Sequence, residues 1–451
     1  MRFLTVGLGH CGGKIANDFK KTAIERKKII IDVCVINTDK ADLTTHKQIP
    51  EENKLLIGTG KGAAKNWREG YNATIQSKNN IKWLIEKLLM PDTDLIIFTI
   101  GEGGGSGSGI APIAVEIAQE LGKPSIAIVT TPFETESVKA KVNAAMGLDL
   151  LYRQEGLKAL ICIDNDKITA HFPDKLLTKA YEKVNETAVD TFLDLVDLAH
   201  MPSRADRIDE SELTSIFEYP GFATLANYKT QANLVEDLSA TLRHSWNGSL
   251  FADVDAATAT GVIFGVKGPT NLFTTIQVDS VRRAFRELLA GKDAMLGIYP
   301  VERCRWASYV GILTGMDVPK KVRALLETAK EESQRHKEIL EARVKLKREG
   351  LGFKPPERVT QPQLTSEIKT EKIEPIGESA SIRYVEIRPH IGRIQKLIQR
   401  HSGETHTLEE LTGLIQNELT IEDERVALAL ISELQNRGYL AEIKKNIFQI
   451  A

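Results

Sequence analysis

The chain has 451 residues, 42% of them hydrophobic and 27% charged, and a formal net charge of −2 at pH 7. This composition is typical of a soluble globular protein and excludes a disordered or fibrous chain. The near-neutral charge gives no overall field that would attract nucleic acid or an anionic membrane. Because the length exceeds that of one ordinary hydrophobic core, we expect two or three domains.

Cysteine spacing and apolar run lengths indicate the cellular compartment. Cys11, Cys34, Cys162 and Cys304 form no CxxC pair, which argues against a zinc site and favours a reducing cytoplasm. The first apolar run is too short for a signal peptide, and no stretch approaches the ~20 apolar residues of a membrane helix. We therefore expect a cytoplasmic protein without direct membrane insertion.

The first part of the chain alternates strand and helix patterns, as an α/β sheet requires. Strands are predicted over residues 2–6, 29–37, 54–57, 94–100, 125–130 and 159–163. Helices are predicted over 13–25, 81–89 and 111–121. A long helical pattern over 173–200 then suggests a helix that connects two domains, so the first domain is predicted to span residues 1–172.

A second α/β region is predicted over residues 201–330. Its strand patterns are 261–266, 274–278 and 306–314, and its helix pattern is 278–289. Residues 331–380 are predicted to form a charged helix followed by a linker, because prolines recur from 355 to 375 with few large apolar residues.

The last part of the chain regains a periodic apolar pattern. Helices are predicted over 391–400, 408–417 and 421–437, and a hairpin over 439–450. Three helices and a hairpin describe a winged-helix-like module, here residues 381–451. Its third helix would begin with Glu422, Asp423 and Glu424, which would repel DNA phosphates. We therefore expect this module to bind a protein partner or dimerise rather than bind nucleic acid.

The strongest motif is GGGSGSG at residues 103–109, which follows a buried strand and opens a helix. Glycines let the backbone approach a ligand closely, and the amides of a helix N-terminus favour phosphate. A flexible linker of the same composition would not be flanked by buried sheet and helix patterns.

A second glycine pattern, Gly7, Gly9 and Gly12, follows the first strand as GxGxxG. Alone it would indicate a dinucleotide fold with Asp39 as ribose acid, and hence an NAD-dependent oxidoreductase. A second phosphate loop argues against that alternative, because a simple dinucleotide site has no use for it. No GxxxxGK[ST] occurs, which disfavours a Walker-type NTPase.

In order and spacing, these motifs resemble the tubulin/FtsZ superfamily of GTPases over about residues 1–330. GGGSGSG is similar to the GGGTGTG signature, GHCG at 9–12 to the GQCG of tubulins, and NTD at 37–39 to the FtsZ side. Residues 60–70 resemble the loop facing the γ-phosphate, 131–136 the ribose loop, and IDN at 163–165 a tubulin motif. The mixture resembles the FtsZ/CetZ-like branch most.

The resemblance implies an α/β fold with a Rossmann-type GTPase domain, a connecting core helix and an α/β activation domain, to which the winged-helix-like module is added. It implies GTP or GDP with Mg²⁺ as ligands, and no dedicated metal-ligating residue. The implied nucleotide contacts are Gly9, His10, Cys11, Gly12, Lys14, Asn37, Asp39, Gly60, Gly62, Ala63, Gly103, Gly104, Gly105, Ser106, Gly107, Ser108, Gly109, Pro132, Glu136, Asn165, Tyr181 and Asn185.

Three of these residues would recognise the base. The amides of Asn165 and Asn185 can pair with the guanine edge, and Tyr181 can stack on the ring. The competing interpretations are a loop asparagine, a helix-surface asparagine and a core tyrosine.

Catalysis in the resembled family uses acids of the neighbouring subunit in an NxDxxD pattern, here matched by Asp209 and Glu212. The implied activity is polymerisation-stimulated GTP hydrolysis in head-to-tail filaments that serve cell division, shape or positioning. A helix N-cap with an acid at N3 is the alternative role for the same pair, and both roles can coexist. A non-polymerising GTP-binding regulator or scaffold is the alternative function.

Three departures from the family pattern bear on activity. Arg207 replaces the usual Asn, and Ala140 stands where an Arg is common. Glu102 precedes the signature loop, where a carboxylate would repel phosphate unless it points away.

Overall fold

The computed structural model describes residues 1–26, 29–203, 205–245, 249–288, 292–349, 405–419, 431, 440–444 and 447–450. Their contacts divide the chain into two compact units, residues 1–353 and 354–451. Within the described ranges, every helix is too short or too polar to span a bilayer.

The first unit is built on one ten-stranded mixed sheet in the order β3-β2-β1-β4-β5-β6-β7-β10-β8-β9. The strands are β1 Arg2–Leu8, β2 Ile30–Asn37, β3 Lys54–Leu56, β4 Leu95–Gly101, β5 Ser125–Thr131, β6 Leu157–Asp164, β7 Phe222–Gln231, β8 Gly261–Pro269, β9 Asp293–Val301 and β10 Trp306–Met316. The six strands predicted before residue 172 are all present.

The helices of this unit cover both faces of the sheet. They are α1 Gly9–Arg26, α2 Lys40–Thr44, α3 Trp67–Gln76, α4 Lys78–Leu88, α5 Ser106–Glu120, α6 Val138–Tyr152, α7 Lys167–His171, α8 Leu177–His200, α9 Glu210–Ser215, α10 Leu238–His244, α11 Thr275–Leu288 and α12 Lys320–Glu349. The long helix predicted over 173–200 is observed as α8, and it packs against α1, β7 and β10.

Strands β1 to β6 are parallel, and apart from the edge strand β3 their side chains are buried almost without interruption. This is why the sequence shows continuous β-branched runs there rather than alternation. Beyond β6 the sheet continues through two residue pairs, Leu160–Phe222 and Ile161–Ala223, into the mixed half. There β10 runs antiparallel to both β7 and β8.

The strand predicted over residues 274–278 is wrong, because this segment is the first turn of α11. The Thr274 hydroxyl accepts a hydrogen bond from the Gln277 amide and so starts the helix. Val281, Ala284 and Phe285 then form its buried face at the spacing of helical turns. Strands β7 and β9 were not predicted.

The described part of the second unit contains a three-stranded antiparallel sheet in the order β11-β13-β12 and one helix. These are β11 Thr405–Thr407, α13 Leu408–Leu419, β12 Leu440–Lys444 and β13 Ile447–Ile450. The helix predicted over 408–417 and the hairpin over 439–450 are confirmed. The helix predicted over 391–400 and nearly all of that over 421–437 lie outside the described residues, so the winged-helix module stays a prediction.

Candidate functional site

A cavity of about 350 Å³ opens at the carboxyl ends of β1 and β4, between the N-termini of α1 and α5 and the first turns of α8. Open parallel sheets bind ligands at this edge. Of the residues predicted to contact a nucleotide, those that line the cavity are Gly9, His10, Cys11, Lys14, Gly104, Gly105, Ser106, Gly107, Asn165, Tyr181 and Asn185.

The two glycine loops meet at the floor of this cavity. Gly9 has a φ of +71°, and a Cβ there would lie 2.9 Å from the Gly107 amide nitrogen. Residue 9 must therefore be glycine, both because its φ is positive and because the Gly107 backbone leaves no space for a side chain. A Cβ at Gly107 would meet the Gly101 carbonyl at 2.8 Å, whereas a Cβ at Gly104 would have only the Gly101 carbonyl at 3.7 Å. Gly104 thus has room for a side chain and Gly107 does not.

Helix α5 supplies a positive end to the cavity. Its N-cap is Gly105, which has no side chain to satisfy the first helical amides, so these amides remain available to an anion. The Ser106 hydroxyl lies 2.6 Å from that of Thr38, which joins the loop to the end of β2. Lys14 lines the cavity and adds a cation.

A polar chain from β2 to α1 fixes His10. His10 Nδ1 lies 3.0 Å from Asp42 Oδ1, and the Asn37 side-chain amide donates to Asp42 Oδ2 at 3.3 Å. Burial lowers the pKa of His10, with Lys14 adding to the effect and Asp42 opposing it. Among the described residues His10 Nδ1 has no hydrogen-bond partner of good geometry, so its contact with Asp42 is one of charge and proximity.

Aromatic and amide groups gather on the α8 side of the cavity. Tyr181 and Asn185 are four residues apart and share one helix face, and Asn165 lies in the turn after β6. The Phe133 ring packs edge-on against Tyr181 at 6.2 Å. Asn185 is only 7% exposed, so it is not a helix-surface asparagine.

The other predicted contacts do not line the cavity: Gly12, Asn37, Asp39, Gly60, Gly62, Ala63, Gly103, Ser108, Gly109, Pro132 and Glu136. Several of them build its walls instead. Asp39, the ribose acid of the dinucleotide alternative, caps α2 because its Oδ1 accepts hydrogen bonds from the Ala41 and Asp42 amides. A Cβ on Gly12 would lie 2.0 Å from the Thr99 carbonyl oxygen, so this glycine is required by packing.

Sequence reasoning missed five residues that line the cavity: Leu8, Asp42, Gly101, Thr130 and Val184. Leu8, Gly101 and Thr130 stand at or near the carboxyl ends of predicted strands, which was a usable signal. Asp42 carried no such signal, because only the fold brings it to His10.

Glu102 also lines the cavity, but its carboxyl group lies against Gly147 of α6. Its oxygens lie where a Cβ on Gly147 of α6 would be, 2.2 Å from Oε2. Among the described residues, neither oxygen has a hydrogen-bond partner of good geometry. Burial raises the pKa of Glu102 to about 8, and the nearby Ser108 hydroxyl only partly opposes this. A neutral carboxyl group does not repel phosphate.

The two lysines beside Ala140 are engaged in the protein. Lys139 donates to the Ala64 carbonyl at 3.1 Å, and Lys141 pairs with Glu134 at 2.6 Å. They therefore brace the loops around the cavity and do not replace the family's arginine.

Asp209 and Glu212 form a reciprocal capping box at the start of α9. Asp209 Oδ1 accepts from the Glu212 amide, and Glu212 Oε2 accepts from the Asp209 amide, each at 2.8 Å. The hydrogen bond from the Glu212 amide, followed by that from the Ser211 hydroxyl, lowers the pKa of Asp209. Arg207 donates to the Ala199 carbonyl at 3.0 Å and so completes the C-terminus of α8, and its charge also helps to lower the pKa of Asp209.

The capping box lies far from the cavity of its own chain. Asn185 lines the cavity, whereas His200, 15 residues further along α8, pairs with Glu210 at 2.9 Å. At 1.5 Å per residue this is a separation of about 22 Å. The acids cannot reach a ligand in the cavity of the same chain.

Known proteins that resemble this chain identify its family. Residues 2–172 match the GTPase domain of the tubulin/FtsZ family. The tubulin-like protein CetZ of Pyrococcus abyssi is 30% identical over 342 residues, which cover 73% of this chain and 90% of that relative. The chain belongs to the tubulin/FtsZ family. Cell division protein FtsZ 1 of Methanocaldococcus jannaschii is 29% identical over 277 residues, covering 60% of this chain and 71% of that protein.

Solved structures of this family share the fold. CetZ2 from Haloferax volcanii, a GTPγS-bound protofilament, has a TM-score of 0.65 at 22% identity and covers 75% of this chain and 100% of its own. TubZ of Bacillus thuringiensis serovar israelensis, a GTPγS-form protofilament, has a TM-score of 0.65 at 18% identity, with 76% and 94% covered. The predicted family and its FtsZ/CetZ branch are thus confirmed, and GxGxxG belongs to the first loop of a tubulin/FtsZ fold.

Proposed function

We propose that this tubulin/FtsZ family chain binds GTP in the cavity and hydrolyses it where one copy meets the next in a head-to-tail filament. The observation that carries the proposal is the separation of about 22 Å along α8 between the cavity and the exposed capping-box acids. The acid pair predicted to act on water lies outside the cavity of its own chain, so cavity and acid pair complement each other only between two chains.

Charge and the solved relatives support this arrangement. Loop residues Lys61 and Lys65 are exposed on the segment that touches the start of α5, whereas Asp209, Glu210 and Glu218 are exposed at the other end. Opposite charges at the two ends favour head-to-tail contact and steer encounter. The related CetZ2 and TubZ structures are protofilaments with GTPγS.

Different residues bind the phosphates, recognise the base and activate water. The amides at the start of α5, with Lys14, hold the phosphates, and Asn165 and Asn185 pair with the guanine edge while Tyr181 stacks on the ring. Asp209 and Glu212 of the next copy accept a proton from the attacking water.

Mg²⁺ fits the oxygen donors of this site, because Asp42 offers a carboxylate at the cavity and the remaining ligands would be phosphate and water. When bound, the ion would neutralise charge on the phosphates.

The capping box also favours the rival function, a GTP-binding regulator that does not polymerise, because both acids already have a structural role as helix caps. Asp209→Asn and Glu212→Gln separate the two roles, since Asn caps as well as Asp and Gln completes the box as well as Glu. We expect both variants to fold and bind GTP normally, and to lose turnover by roughly 100-fold or more because the general base is gone. Full activity in Asp209→Asn would leave only the capping role.

Specific GTPase activity should also rise with protein concentration, because each site needs two chains. Gly104→Val should abolish GTP binding without unfolding, whereas Gly107→Val would also disturb the backbone contact described above. Mixing Gly104→Val with Asp209→Asn should restore partial turnover. Turnover independent of concentration, or equal affinity for GTP and ATP, would contradict the proposal.

We further propose that residues 381–451 recruit a protein partner or a second copy rather than nucleic acid. All nucleotide and acid motifs precede residue 330. The module therefore carries none of the groups proposed for GTP binding or hydrolysis, which supports a separate role in recruitment. Deletion of 381–451 should leave GTP binding unchanged and alter localisation or lateral association. Salt-sensitive DNA binding by the full chain that this deletion abolishes would contradict it.

A further inference from the structure

Lys321, in the first turn of α12, lies against the turn that carries Asn165. Its side chain is only 9% exposed, and its ammonium pairs with the Asp166 carboxylate. It also lies 3.8 Å from Asp164 Oδ1 and 4.0 Å from Glu134 Oε2. One nearly buried cation thus meets three carboxylates, two of which flank Asn165.

These carboxylates also fix the backbone around them. Asp164 Oδ1 accepts from the Asp166 amide at 3.1 Å, which closes the turn over Asn165. Asp166 Oδ1 accepts from the Glu134 amide at 2.8 Å, which ties that turn to the loop carrying Phe133. The network therefore joins α12, the Asn165 turn and the loop whose aromatic ring packs on Tyr181.

Repulsion makes the cation necessary. Asp164 is buried, and burial raises its pKa while Lys321 opposes the rise. In the described structure, the neighbouring cations have other partners: Lys141 pairs with Glu134, and Lys167 with Asp253 at 2.7 Å and the Phe251 carbonyl. Without Lys321, Asp164 and Asp166 would face each other across Asn165 with only the weaker effect of Lys167 to offset their repulsion.

We propose that Lys321 is a positioning residue for base selectivity, which holds the Asn165 amide toward the guanine edge. The inference rests on the proposed function, because it needs Asn165 to contact guanine. It places part of the selectivity outside the GTPase domain match, which ends at residue 172, on a helix that begins at residue 320.

The test compares three ligands in equilibrium binding: GTP, ATP and inorganic triphosphate, which reaches only the phosphate loops. Lys321→Met should weaken GTP about tenfold, as expected for one misplaced hydrogen-bonding group, and should leave ATP and triphosphate unchanged. Lys321→Arg should restore most of the GTP preference. Lys320→Met, the same charge change at an exposed neighbour on the same helix, should behave as wild type.

Asp166→Asn keeps an acceptor for the Glu134 amide but removes the charge that faces Asp164, so Lys321→Met should have little effect on the GTP-to-ATP ratio in that background. An unchanged ratio in folded Lys321→Met, or an undiminished effect of Lys321→Met in the Asp166→Asn background, would overturn the proposal. Equal weakening of all three ligands would also overturn it, since that would show a general structural role. A wild-type protein without guanine preference would instead refute the proposed function itself.

Discussion

Helix α8 joins two regions that are built by different kinds of interaction. At the cavity end, backbone meets backbone, as where Gly9 approaches the Gly107 amide and Gly12 approaches the Thr99 carbonyl. At the other end, side chains hold the structure, as in the capping box of Asp209 and Glu212 and the pair of Arg207 with the Ala199 carbonyl. At Gly9 and Gly12 the first region has no room for an added atom. The second depends on which polar atoms a side chain carries.

The largest effect should come from an added methyl group at the cavity end. Gly12→Ala would place its Cβ 2.0 Å from the Thr99 oxygen and 2.7 Å from its carbonyl carbon, and neither backbone atom can move freely. We expect a loss of about 3 kcal/mol or more in the free energy of unfolding. Thermal or urea unfolding measures it. Gly104→Ala is the matched control, and similar losses in both variants would contradict the packing argument.

The next effect concerns pH behind the cavity. The pKa of Glu102 is raised from 4.5 to about 8, so the folded state favours its protonated form. This contribution is complete below pH 4.5 and is lost as pH rises through 8, at about 1.4 kcal/mol per pH unit. Glu102→Gln should flatten urea stability between pH 5 and 8.

Glu120 gives the opposite control for this experiment. It is exposed, and hydrogen bonds from Lys78 and then Lys82 lower its pKa to about 2. Glu120→Gln should change the pH dependence of stability only below about pH 4.5, where wild type loses the contribution of this carboxylate as pH falls towards 2, and should leave the slope between pH 5 and 8 unchanged. A wild-type stability curve that does not fall between pH 5 and 8 would exclude the protonated Glu102.

A smaller effect is expected in the helix that joins the two regions. Arg26 at the end of α1 pairs with Asp194 and Asp197 at 2.8 Å and with Asp190 at 3.0 Å on α8. Arg26→Met should lower the free energy of unfolding by about 1–2 kcal/mol, less than for a fully buried pair, because the carboxylates keep contact with water. Arg153→Met, which breaks one exposed pair with Asp149, should have no measurable effect.

The smallest effect on stability should be at the capping box itself. Asp209→Ala removes the cap and should lower Tm slightly, whereas Asp209→Asn should keep it. Calorimetry of the two variants distinguishes them. Equal Tm values for Ala and wild type would show that the box contributes nothing to the α9 start.

The sequence predicted the elements that depend on local patterns better than those that depend on tertiary contacts. Continuous β-branched runs predicted β1 to β6, and the acid spacing predicted the capping box, because both are local patterns. Strands β7 and β9 were missed because the first ends in polar residues and the second contains Gly297 and Pro300. The segment 274–278 looks like a strand locally, but Thr274 starts a helix there.

The site shows the same limit. Motif order identified the glycine loops and Asn165, Tyr181 and Asn185, which the fold brings together. Motif order could not distinguish glycines that face a ligand from glycines that pack against backbone, since Gly104 and Gly12 are both glycines in similar glycine-rich motifs. Asp42 and Lys321 act through tertiary contacts across distant segments, which no local pattern contains.

The capping box also has a kinetic consequence. Its two reciprocal hydrogen bonds order the acids before any partner arrives, so a docking copy meets a rigid surface and no loop has to be frozen on contact. Under the proposed function, association would then be limited by diffusion and orientation rather than by folding of the loop. Because the charges around it are exposed, that association rate should fall as ionic strength rises.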